Sequence, residues 1–286
     1  MTRIVLANLI EAGIKVRLVC LPGRRTLPLL KTGRRRALPM AGPATTPRTV
    51  AEVARSAEID LWRIGDFDAP EVHEEVAAVA ADLVVVSCYH RLIPDAIYAG
   101  RAYGGVNLHP SLLPDKRGPD PLFWVFREDD ARVGATVHRL TDRYDAGDIL
   151  MQASMEKPDG ISEDELDAHL AHLGSQLLLQ SIAGMADDDI APNAQQERDK
   201  TWAPQPRPED YRLDRAWPAR HAVNFVRGVG GRGYPLLVER AGQTVQIREI
   251  LDWPTGERPP PDVPEDAAML RFADGWVVAR VSPPEP

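Results

Sequence analysis

The stretch that decides the fold of this chain is residues 104–119, which read GGVNLHPSLLPDKRGP. Val106–Leu108 has the character of a short apolar strand, and polar groups stand where that strand ends. In open parallel sheets, ligands bind beyond the carboxyl ends of the strands. Asn107 and His109 are two residues apart, so their side chains share one face of the strand. The stretch therefore predicts a site at the edge of an α/β sheet.

Apolar runs of strand character recur on both sides of this stretch, and helical segments separate most of them. That alternation predicts an α/β fold built on a parallel sheet. The predicted strands are Val16–Cys20, Leu83–Cys88, Val106–Leu108 and Ala135–His138.

Two helix starts are signalled by capping residues. Thr46 followed by Pro47 is typical of an N-cap and the first helical position. Ser162 with Glu165 predicts a capping box at the start of a long helix. The predicted buried stripe of that helix consists of Leu166, Leu170, Leu173 and Leu177.

The chain opens with a helical pattern before any strand. Apolar residues between Ile4 and Ile10, followed by Gly13, predict a helix with a glycine stop. An α/β unit of this kind normally opens with a strand. We therefore expect either a start further upstream or a fold that tolerates the loss of one strand.

Prolines mark a domain boundary near residue 205. Between Trp202 and Trp217, Pro204, Pro206 and Pro208 have the spacing of an extended linker. The predicted domains are residues 1–204 and 205–286. The second is predicted to be small and β-rich, with a helix at 218–228 and strands at Tyr234–Arg240, Thr244–Ile250, Met269–Phe272 and Trp276–Val281.

Length and composition exclude several classes of protein. The chain has 286 residues, of which 44% are hydrophobic and 27% charged, so it is long enough for a substantial core and is not of the disordered class. No apolar run approaches the roughly 18 to 20 residues of a membrane-spanning helix. The net charge of −8 argues against a protein that coats nucleic acid through bulk charge. Two cysteines in apolar runs and a start without a secretory cleavage site predict a reduced, cytoplasmic protein.

Asn107, His109 and Asp145 are the candidate reactive residues. A carboxamide can donate to a developing oxyanion, and an imidazole can donate or move a proton near neutral pH. Asp145 lies in a glycine-containing loop after the strand that ends at His138, and a carboxylate there would raise the pKa of His109. From the residues alone a second interpretation has equal weight, in which Asn107 caps a turn, His109 is a hydrogen-bonded core histidine and Asp145 belongs to an ordinary turn.

Four linked motifs resemble those of N10-formyltetrahydrofolate-dependent formyltransferases. The family pattern is N-x-H-x-S-L-L-P, then R-G, then a G-x-T-x-H strand and a D-x-G-x-I loop that ends in glutamine. In this sequence the motifs fall at Asn107–Pro114, Arg117–Gly118, Gly134–His138 and Asp145–Gln152. The resemblance runs from residue 3 to about residue 250, and its later part is similar to methionyl-tRNA formyltransferases. It implies a Rossmann-like parallel-sheet catalytic domain followed by a smaller β-barrel-like domain.

The resemblance also implies a role for each candidate residue. Asn107 and protonated His109 would stabilise the oxyanion formed when a neutral amine attacks the formyl carbon. Asp145 would keep His109 charged and handle protons through water. The chemistry then needs no metal, and the co-substrate is N10-formyltetrahydrofolate. The residues implied to bind it are Tyr89, Leu92, Ile93, Ser111, Leu112, Leu113, Pro114 and Asp142.

One part of the family pattern has no counterpart in this sequence. The family's first strand and the glycine-containing loop after it are absent, because the resemblance starts inside the following helix. We therefore expect a chain extended upstream by such a strand to be more stable than this one.

A basic segment bears on the identity of the amine acceptor. Residues 21–50 carry seven basic residues and no acidic one, and a loop at this position enters the acceptor stem in methionyl-tRNA formyltransferases. Cationic side chains there would meet phosphates. A solvated loop is the alternative interpretation of such a run. The predicted substrate-binding residues are Arg34, Arg35, Arg36 and Arg117.

Initiator methionyl-tRNA is thus the predicted acceptor, and three alternatives stay open. Two observations argue against a tRNA acceptor. The family's usual Gly-Arg-Gly segment is replaced at 30–36. Residues 205–286 hold eleven arginines against twelve acidic residues, so they form no basic platform. An amino-sugar nucleotide or another small amine therefore remains a possible acceptor. The other two alternatives are hydrolysis of the formyl folate and a catalytically silent folate-binding remnant.

Overall fold

A computed structural model of the chain describes residues 1–32, 49–253 and 263–283. The helices are α1 Thr2–Glu11, α2 Val50–Ser56, α3 Pro70–Ala77, α4 Asp95–Tyr98, α5 Pro121–Arg127, α6 Glu163–Ala186 and α7 Ala219–Val229. The strands are β1 Leu18–Pro22, β2 Leu29–Lys31, β3 Asp60–Ile64, β4 Val84–Ser87, β5 Gly105–His109, β6 Arg132–Arg139, β7 Ile149–Glu156, β8 Leu236–Arg240, β9 Gln243–Asp252, β10 Ala267–Arg271 and β11 Trp276–Ser282. The predicted cap at Thr46 and Pro47 lies outside the described residues.

Two compact units divide the chain, and they interleave along the sequence. The first comprises residues 1–117, 134–154 and 168–202, and the second comprises 118–133, 155–167 and 203–286. The last of these segments starts close to the predicted boundary at 204/205. Within the second unit, Arg232 donates to the carboxylates of both Asp120 and Glu163, which ties the two earlier segments to the last one. Contacts of this kind are distant in sequence and leave no local signal.

The first unit contains a three-stranded and a four-stranded sheet, in the orders β1-β3-β2 and β4-β5-β6-β7. β1 pairs parallel with β3 and β4 pairs parallel with β5, as the α/β pattern predicts. β2 and β6 are antiparallel to their neighbours β3 and β5. The sheets are therefore mixed, whereas the sequence predicted a parallel sheet. The α/β class is confirmed, and the direction of β6 is a correction. Hydrophobic periodicity identifies a strand but is the same for either direction.

α1 packs against both sheets of the first unit. It ends before Gly13, whose φ of 81° is the left-handed conformation that favours glycine. Val5 and Leu9 belong to the apolar cluster of the four-stranded sheet. Leu6 belongs to the cluster of the three-stranded sheet. The predicted N-terminal helix is confirmed, and it joins the cores of the two sheets.

The edges of β1 and β4 line one cavity. Each of these strands is at the end of its sheet in the described part of the chain. A cavity of about 460 Å³ is lined by residues of α1, β1 and β4, and its lining is mainly apolar. Two residues of this lining, Ser87 and Tyr89, have buried hydroxyl oxygens that no described residue reaches with a hydrogen bond.

The long helix α6 begins with the predicted capping box. Glu165 accepts a hydrogen bond from the Ser162 amide at 2.9 Å, and the Glu165 amide donates to the Ser162 hydroxyl at 3.3 Å. The predicted stripe is largely buried, because Leu166 and Leu170 have no exposed area and Leu177 is 7% exposed. Leu173 is partly buried against the core of the four-stranded sheet.

The second unit contains α7 and a curled antiparallel sheet in the order β10-β11-β9-β8. The pairing of β11 with β9 shifts register in two places, between Val278 and Ala279 and between Arg280 and Val281. Irregularities of this kind bend a strand and increase its twist. The predicted helix and four strands agree with these elements to within a few residues at each end.

Within the described ranges, no helix is long and apolar enough to cross a membrane. The same residues contain no group of three or more His, Cys, Asp or Glu side chains that could hold a metal ion.

Candidate active site

β5 carries Asn107 and His109 on one face, as the sequence predicts. His109 is 5% exposed, and Asn107 is half-buried. Their register partners on β6 are His138 opposite Asn107 and Thr136 opposite His109. Because directly paired residues of antiparallel strands have neighbouring side chains, β6 forms one wall of the site.

Asp145 joins these side chains from the loop between β6 and β7. Its Oδ1 accepts a hydrogen bond from Asn107 Nδ2 at 3.1 Å and lies 3.6 Å from His109 Nδ1. The Asp145 side chain is only 12% exposed. The structure therefore brings the three candidate reactive residues together, although Asp145 is 38 residues from Asn107 in sequence.

His138 is a fourth member of this group. Its Nδ1 lies 2.8 Å from the carbonyl oxygen of Arg139 and donates to it, so its Nε2 accepts from Asn107 Nδ2 at 3.1 Å. Asn107 thus directs its two amide hydrogens to His138 and Asp145. The sequence analysis placed His138 only at the end of a strand, and the structure adds that its ring orients the Asn107 carboxamide.

Both ring nitrogens of His109 face acceptors. Nε2 donates to the carbonyl oxygen of Lys116 at 2.9 Å, and Nδ1 faces the Asp145 carboxylate. Burial nevertheless lowers the pKa of His109, while Asp145 and the Lys116 carbonyl raise it in part and His138 lowers it further. The raising effect of Asp145 is present as expected, but the loss of hydration outweighs it. His109 is therefore neutral near pH 7 in the substrate-free site.

A buried histidine with a lowered pKa makes the folded state sensitive to acid. The unfolded His109 has an ordinary pKa near 6.5, so between that value and its lower folded pKa the unfolded chain binds more protons. Stability is then lost as the pH falls, by up to about 1.4 kcal/mol per pH unit for each such histidine. We expect His109→Gln to reduce this slope of the unfolding free energy below pH 6.5, measured by urea denaturation. The exposed His169 gives the control, His169→Gln, and an unchanged slope for His109→Gln would contradict the prediction.

The turn after β5 is fixed by side chains from β6 and β7. The Thr136 hydroxyl donates to the Ser111 carbonyl at 2.6 Å, and Gln152 Nε2 donates to the Leu113 carbonyl at 2.8 Å. The Ser111 hydroxyl donates to the Asp115 carbonyl at 2.7 Å. Of the residues predicted to bind folate here, Ser111 and Leu113 are buried, while Leu112 and Pro114 are partly exposed. Their contacts with a folate stay a prediction.

The second predicted folate segment lies next to the Asp145 loop. The Leu92 amide donates to the hydroxyl of Tyr144 at 3.1 Å, and both residues are exposed. Asp142 is also exposed. Ile93 and Tyr89 pack in an apolar cluster with Trp62 and Ile64 of β3, which is separate from the cluster that contains Leu6. Their contacts with a folate stay a prediction.

Arg117, one of the predicted substrate-binding residues, is buried, and contact with a substrate stays a prediction. Its side chain is 5% exposed, and it donates to Gln195 and to Glu197. Gln195 in turn donates to the carbonyls of Asp145 and Gly147. No local signal identified Gln195, because it lies 50 residues after Asp145. The other predicted substrate-binding residues, Arg34, Arg35 and Arg36, lie outside the described residues.

A half-buried carboxamide, a buried imidazole and a nearby carboxylate at the carboxyl end of a parallel strand are an arrangement suited to group transfer in an α/β enzyme. The family model for formyl transferase matches residues 39–182. The chain belongs to the formyl transferase family.

Similar proteins are known both from sequence and from structure. A methionyl-tRNA formyltransferase of Acidobacterium capsulatum is 36% identical over 158 residues, which is 55% of this chain and 51% of that relative. A methionyl-tRNA formyltransferase of Geobacillus thermodenitrificans is 30% identical over 279 residues, covering 97% of this chain and 82% of that relative. The chain thus spans about half of the first relative in its alignment and most of the second.

Two solved structures show the same fold. HypX from Aquifex aeolicus in complex with tetrahydrofolic acid aligns with a TM-score of 0.56 and 20% identity, over 78% of this chain and 39% of that chain. A methionyl-tRNA formyltransferase from Clostridium thermocellum aligns with a TM-score of 0.51 and 14% identity, over 81% of this chain and 89% of that chain.

Proposed function

We propose that this protein transfers the formyl group of N10-formyltetrahydrofolate to the amine of initiator methionyl-tRNA. The observation that carries this proposal is the contact of Asn107, His109 and Asp145 at the end of β5. Hydrogen-bond donors at a developing oxyanion lower the barrier of acyl transfer, and this group supplies an amide and an imidazole. Membership of the formyl transferase family supports the same reaction.

The reaction requires attack by a neutral amine on the formyl carbon. The carbonyl oxygen becomes an oxyanion, which Asn107 Nδ2 and His109 would stabilise by donating hydrogen bonds. Because Asn107 already donates to His138 and Asp145, binding of the formyl group has to divert one of these hydrogens. The proton that the amine loses would pass by way of the Asp145 carboxylate, directly or through water, to His109, and the same proton would then reach the departing N10 nitrogen.

The developing oxyanion also changes the charge of His109. Burial keeps the imidazole neutral before the reaction, while a negative charge beside it raises its pKa. The Asp145 carboxylate acts in the same direction. His109 would therefore take up the proton that the amine loses as the oxyanion forms, so that its positive charge stabilises the transition state, and it would give this proton up again when N10 departs.

The folate would lie along the exposed residues near the Asp145 loop. Leu92, Tyr144 and Asp142 are accessible, and the hydrogen bond between Leu92 and Tyr144 links the two segments. Leu112 and Pro114 of the turn after β5 offer partly exposed apolar atoms. A largely apolar wall with a few polar groups suits a pterin ring.

Initiator tRNA is favoured as acceptor by two observations. The relative from Geobacillus thermodenitrificans, a methionyl-tRNA formyltransferase, matches 97% of this chain, including the second unit. The basic segment at residues 21–50 offers cations for phosphates, and of these Arg24 and Arg25 are described and exposed, while Lys31 forms an ion pair with Glu75.

The acceptor is tested by release of tetrahydrofolate from N10-formyltetrahydrofolate. We expect release with initiator methionyl-tRNA and only background release without an acceptor. The same assay with uncharged initiator tRNA is the control, because that RNA lacks the methionyl amine. Equal release without acceptor would indicate a hydrolase and contradict the proposal. Release with an amino-sugar nucleotide but not with methionyl-tRNA would replace tRNA by a small amine as the acceptor.

A further inference from the structure

One short segment contacts His109 directly and reaches the Asp145 loop through Gln195. The backbone carbonyl of Lys116 accepts the hydrogen bond from His109 Nε2 at 2.9 Å. The side chain of the next residue, Arg117, points to Gln195, with its Nε and Nη2 2.7–3.0 Å from Gln195 Oε1. Gln195 then reaches the Asp145 loop, so the two reactive side chains are positioned from one place in the chain.

The carboxamide of Gln195 uses all of its hydrogen-bonding capacity in this arrangement. Nε2 donates to the carbonyl of Asp145 at 2.9 Å and to that of Gly147 at 2.7 Å. Oε1 accepts the two bonds from Arg117. A flipped amide would put N–H groups against the guanidinium of Arg117 and an oxygen against two carbonyls, so the orientation is unambiguous.

The loop that Gln195 holds has an unfavourable backbone. Asp145 has a φ of 51°, which is a left-handed conformation that residues with a Cβ rarely adopt. No larger residue fits at Gly147, because a Cβ there would collide with the carbonyl oxygen of Arg139. A conformation of this kind persists only where surrounding contacts fix it.

Arg117 is itself held firmly. Its Nη1 donates to Glu197 at 3.0 Å, and its amide donates to the Thr201 carbonyl at 3.1 Å. Hydrogen bonds from Lys200 and Arg117 lower the pKa of Glu197 to about 2, so this carboxylate stays charged throughout the neutral range. Two backbone hydrogen bonds between Asn193 and Ile149, both 2.8 Å, attach the segment before Gln195 to the start of β7.

We propose that Gln195, oriented by Arg117, is a positioning residue that fixes the Asp145 carboxylate against His109 and Asn107. It does not touch the reacting atoms. It holds the two carbonyls that flank Ala146 and thereby keeps Asp145 in the left-handed conformation that directs its carboxylate to the site. The effect on rate rests on the proposed formyl transfer, whereas the effect on His109 does not.

The test replaces Gln195 by two residues of similar length. Gln195→Met removes the two N–H donors and the oxygen that accepts from Arg117, and it adds no charge. Gln195→Glu keeps an acceptor for Arg117 but cannot donate to the two carbonyls. The exposed neighbour Gln196 gives the matched control, Gln196→Met. Thermal unfolding of all three variants, compared with the unaltered chain, identifies any variant that fails to fold.

We expect both Gln195 variants to lower kcat for formyl transfer about 100-fold, the size of effect expected from a displacement of roughly 1 Å at a reactive group. NMR titration of the His109 ring then separates positioning from simple loss of stability. Asp145 is the charge that raises the pKa of His109, and its displacement in Gln195→Met should increase the acid dissociation constant of His109 roughly three- to tenfold. The Gln196→Met variant should change neither quantity.

Two results would overturn the proposal. One is a folded Gln195→Glu variant whose kcat stays within twofold of the unaltered chain. The other is an unchanged His109 titration in folded Gln195→Met. If the unaltered chain transfers no formyl group to any acceptor, the titration still decides the positioning role, so that failure of the proposed function and failure of this inference give different results.

Discussion

Replacing His109 by alanine is expected to lower kcat/KM for formyl transfer by about 10²- to 10⁴-fold. This range covers the usual loss of an oxyanion donor and of a group that moves a proton in the transition state. The imidazole is 5% exposed, lies 3.6 Å from the Asp145 carboxylate and is 77° from the plane of the His138 ring. The measurement is the rate of tetrahydrofolate release at saturating N10-formyltetrahydrofolate, with the concentration of methionyl-tRNA varied to give kcat/KM.

A second substitution distinguishes lost chemistry from lost structure. His109→Gln retains an amide donor for the Lys116 carbonyl, which His109 Nε2 now contacts at 2.9 Å, but it has no titratable nitrogen. We expect this variant to fold with a melting temperature close to that of the unaltered chain and to lose almost as much activity as His109→Ala. His169→Ala, on the exposed face of α6, is the control and should retain full activity. A fully active His109→Gln variant would remove the imidazole from the mechanism.

Filling the cavity between β1 and β4 with a strand is expected to raise the melting temperature by about 5–10 °C. The reason is that backbone groups of β1 and β4 at these two sheet edges could form hydrogen bonds with an added strand. The Gly23 amide donates to Ile64 of β3, so by alternation the backbone groups of Leu18 and Cys20 face away from β3. The Val84 amide donates to Gly104, so those of Val85 and Ser87 face away from β5.

The direction of such a strand follows from α1. The helix begins at Thr2, whose hydroxyl donates to the Ser87 carbonyl at 3.1 Å, at the carboxyl end of β4. A strand joined to the start of α1 would therefore end beside Ser87 and run parallel to β4. It would also run parallel to β1, which follows α1, and this gives a βαβ unit of the usual hand.

The size of the effect is set by hydrogen bonds and apolar contact. Each new backbone hydrogen bond contributes about 1 kcal/mol, and part of the gain is lost in ordering the added residues. A net gain of about 2–3 kcal/mol corresponds to the stated rise for a chain of this size. The thiol of Cys20 lines the same cavity, and burial raises its pKa to about 12. The thiol is therefore neutral, and an added apolar strand would bury no charge there.

The test adds a segment before Met1. It consists of a five-residue strand of Val and Ile and a four-residue loop of Gly and Ser, because strands buried on both faces are apolar throughout. The control has the same segment with proline at the centre of the strand, which cannot donate to either edge. The chain with the intact strand should have the higher melting temperature of the two. Hydrogen exchange of the Val85 and Cys20 amides should slow only in that chain. Equal melting temperatures for the two extended chains would be evidence against a strand-accepting cavity.

Most local elements of this fold were predictable from the sequence. The helix before Gly13, the capping box of Ser162 and Glu165, and the strand that carries Asn107 and His109 all agree with the structure. Each is specified by interactions within a few residues, such as a cap, a glycine stop or a run of apolar side chains. The contact of Asp145 with both residues of β5 also agrees with its predicted place after the neighbouring strand.

The site's finer organisation was not predictable. The sequence indicated a raised pKa for His109, yet its burial depends on residues from the whole first unit, and the lost hydration outweighs one carboxylate. The contacts of Arg117 with Gln195 and Glu197 left no local signal, because these residues lie about 80 positions later in the chain. The role of Gln195 depends on a contact across 50 residues of sequence.

The sequence by itself determined the α/β class and the helix and strand segments, because periodicity and caps are local properties of a chain. The choice of Asn107, His109 and Asp145 came from the resemblance of the sequence motifs to those of formyltransferases. Only the tertiary structure decided the direction of β6, the interleaving of the two units, the charge of His109 and the link from Arg117 through Gln195 to Asp145. These depend on which groups lose water together and which donors meet which acceptors. Both are set when distant segments pack against one another.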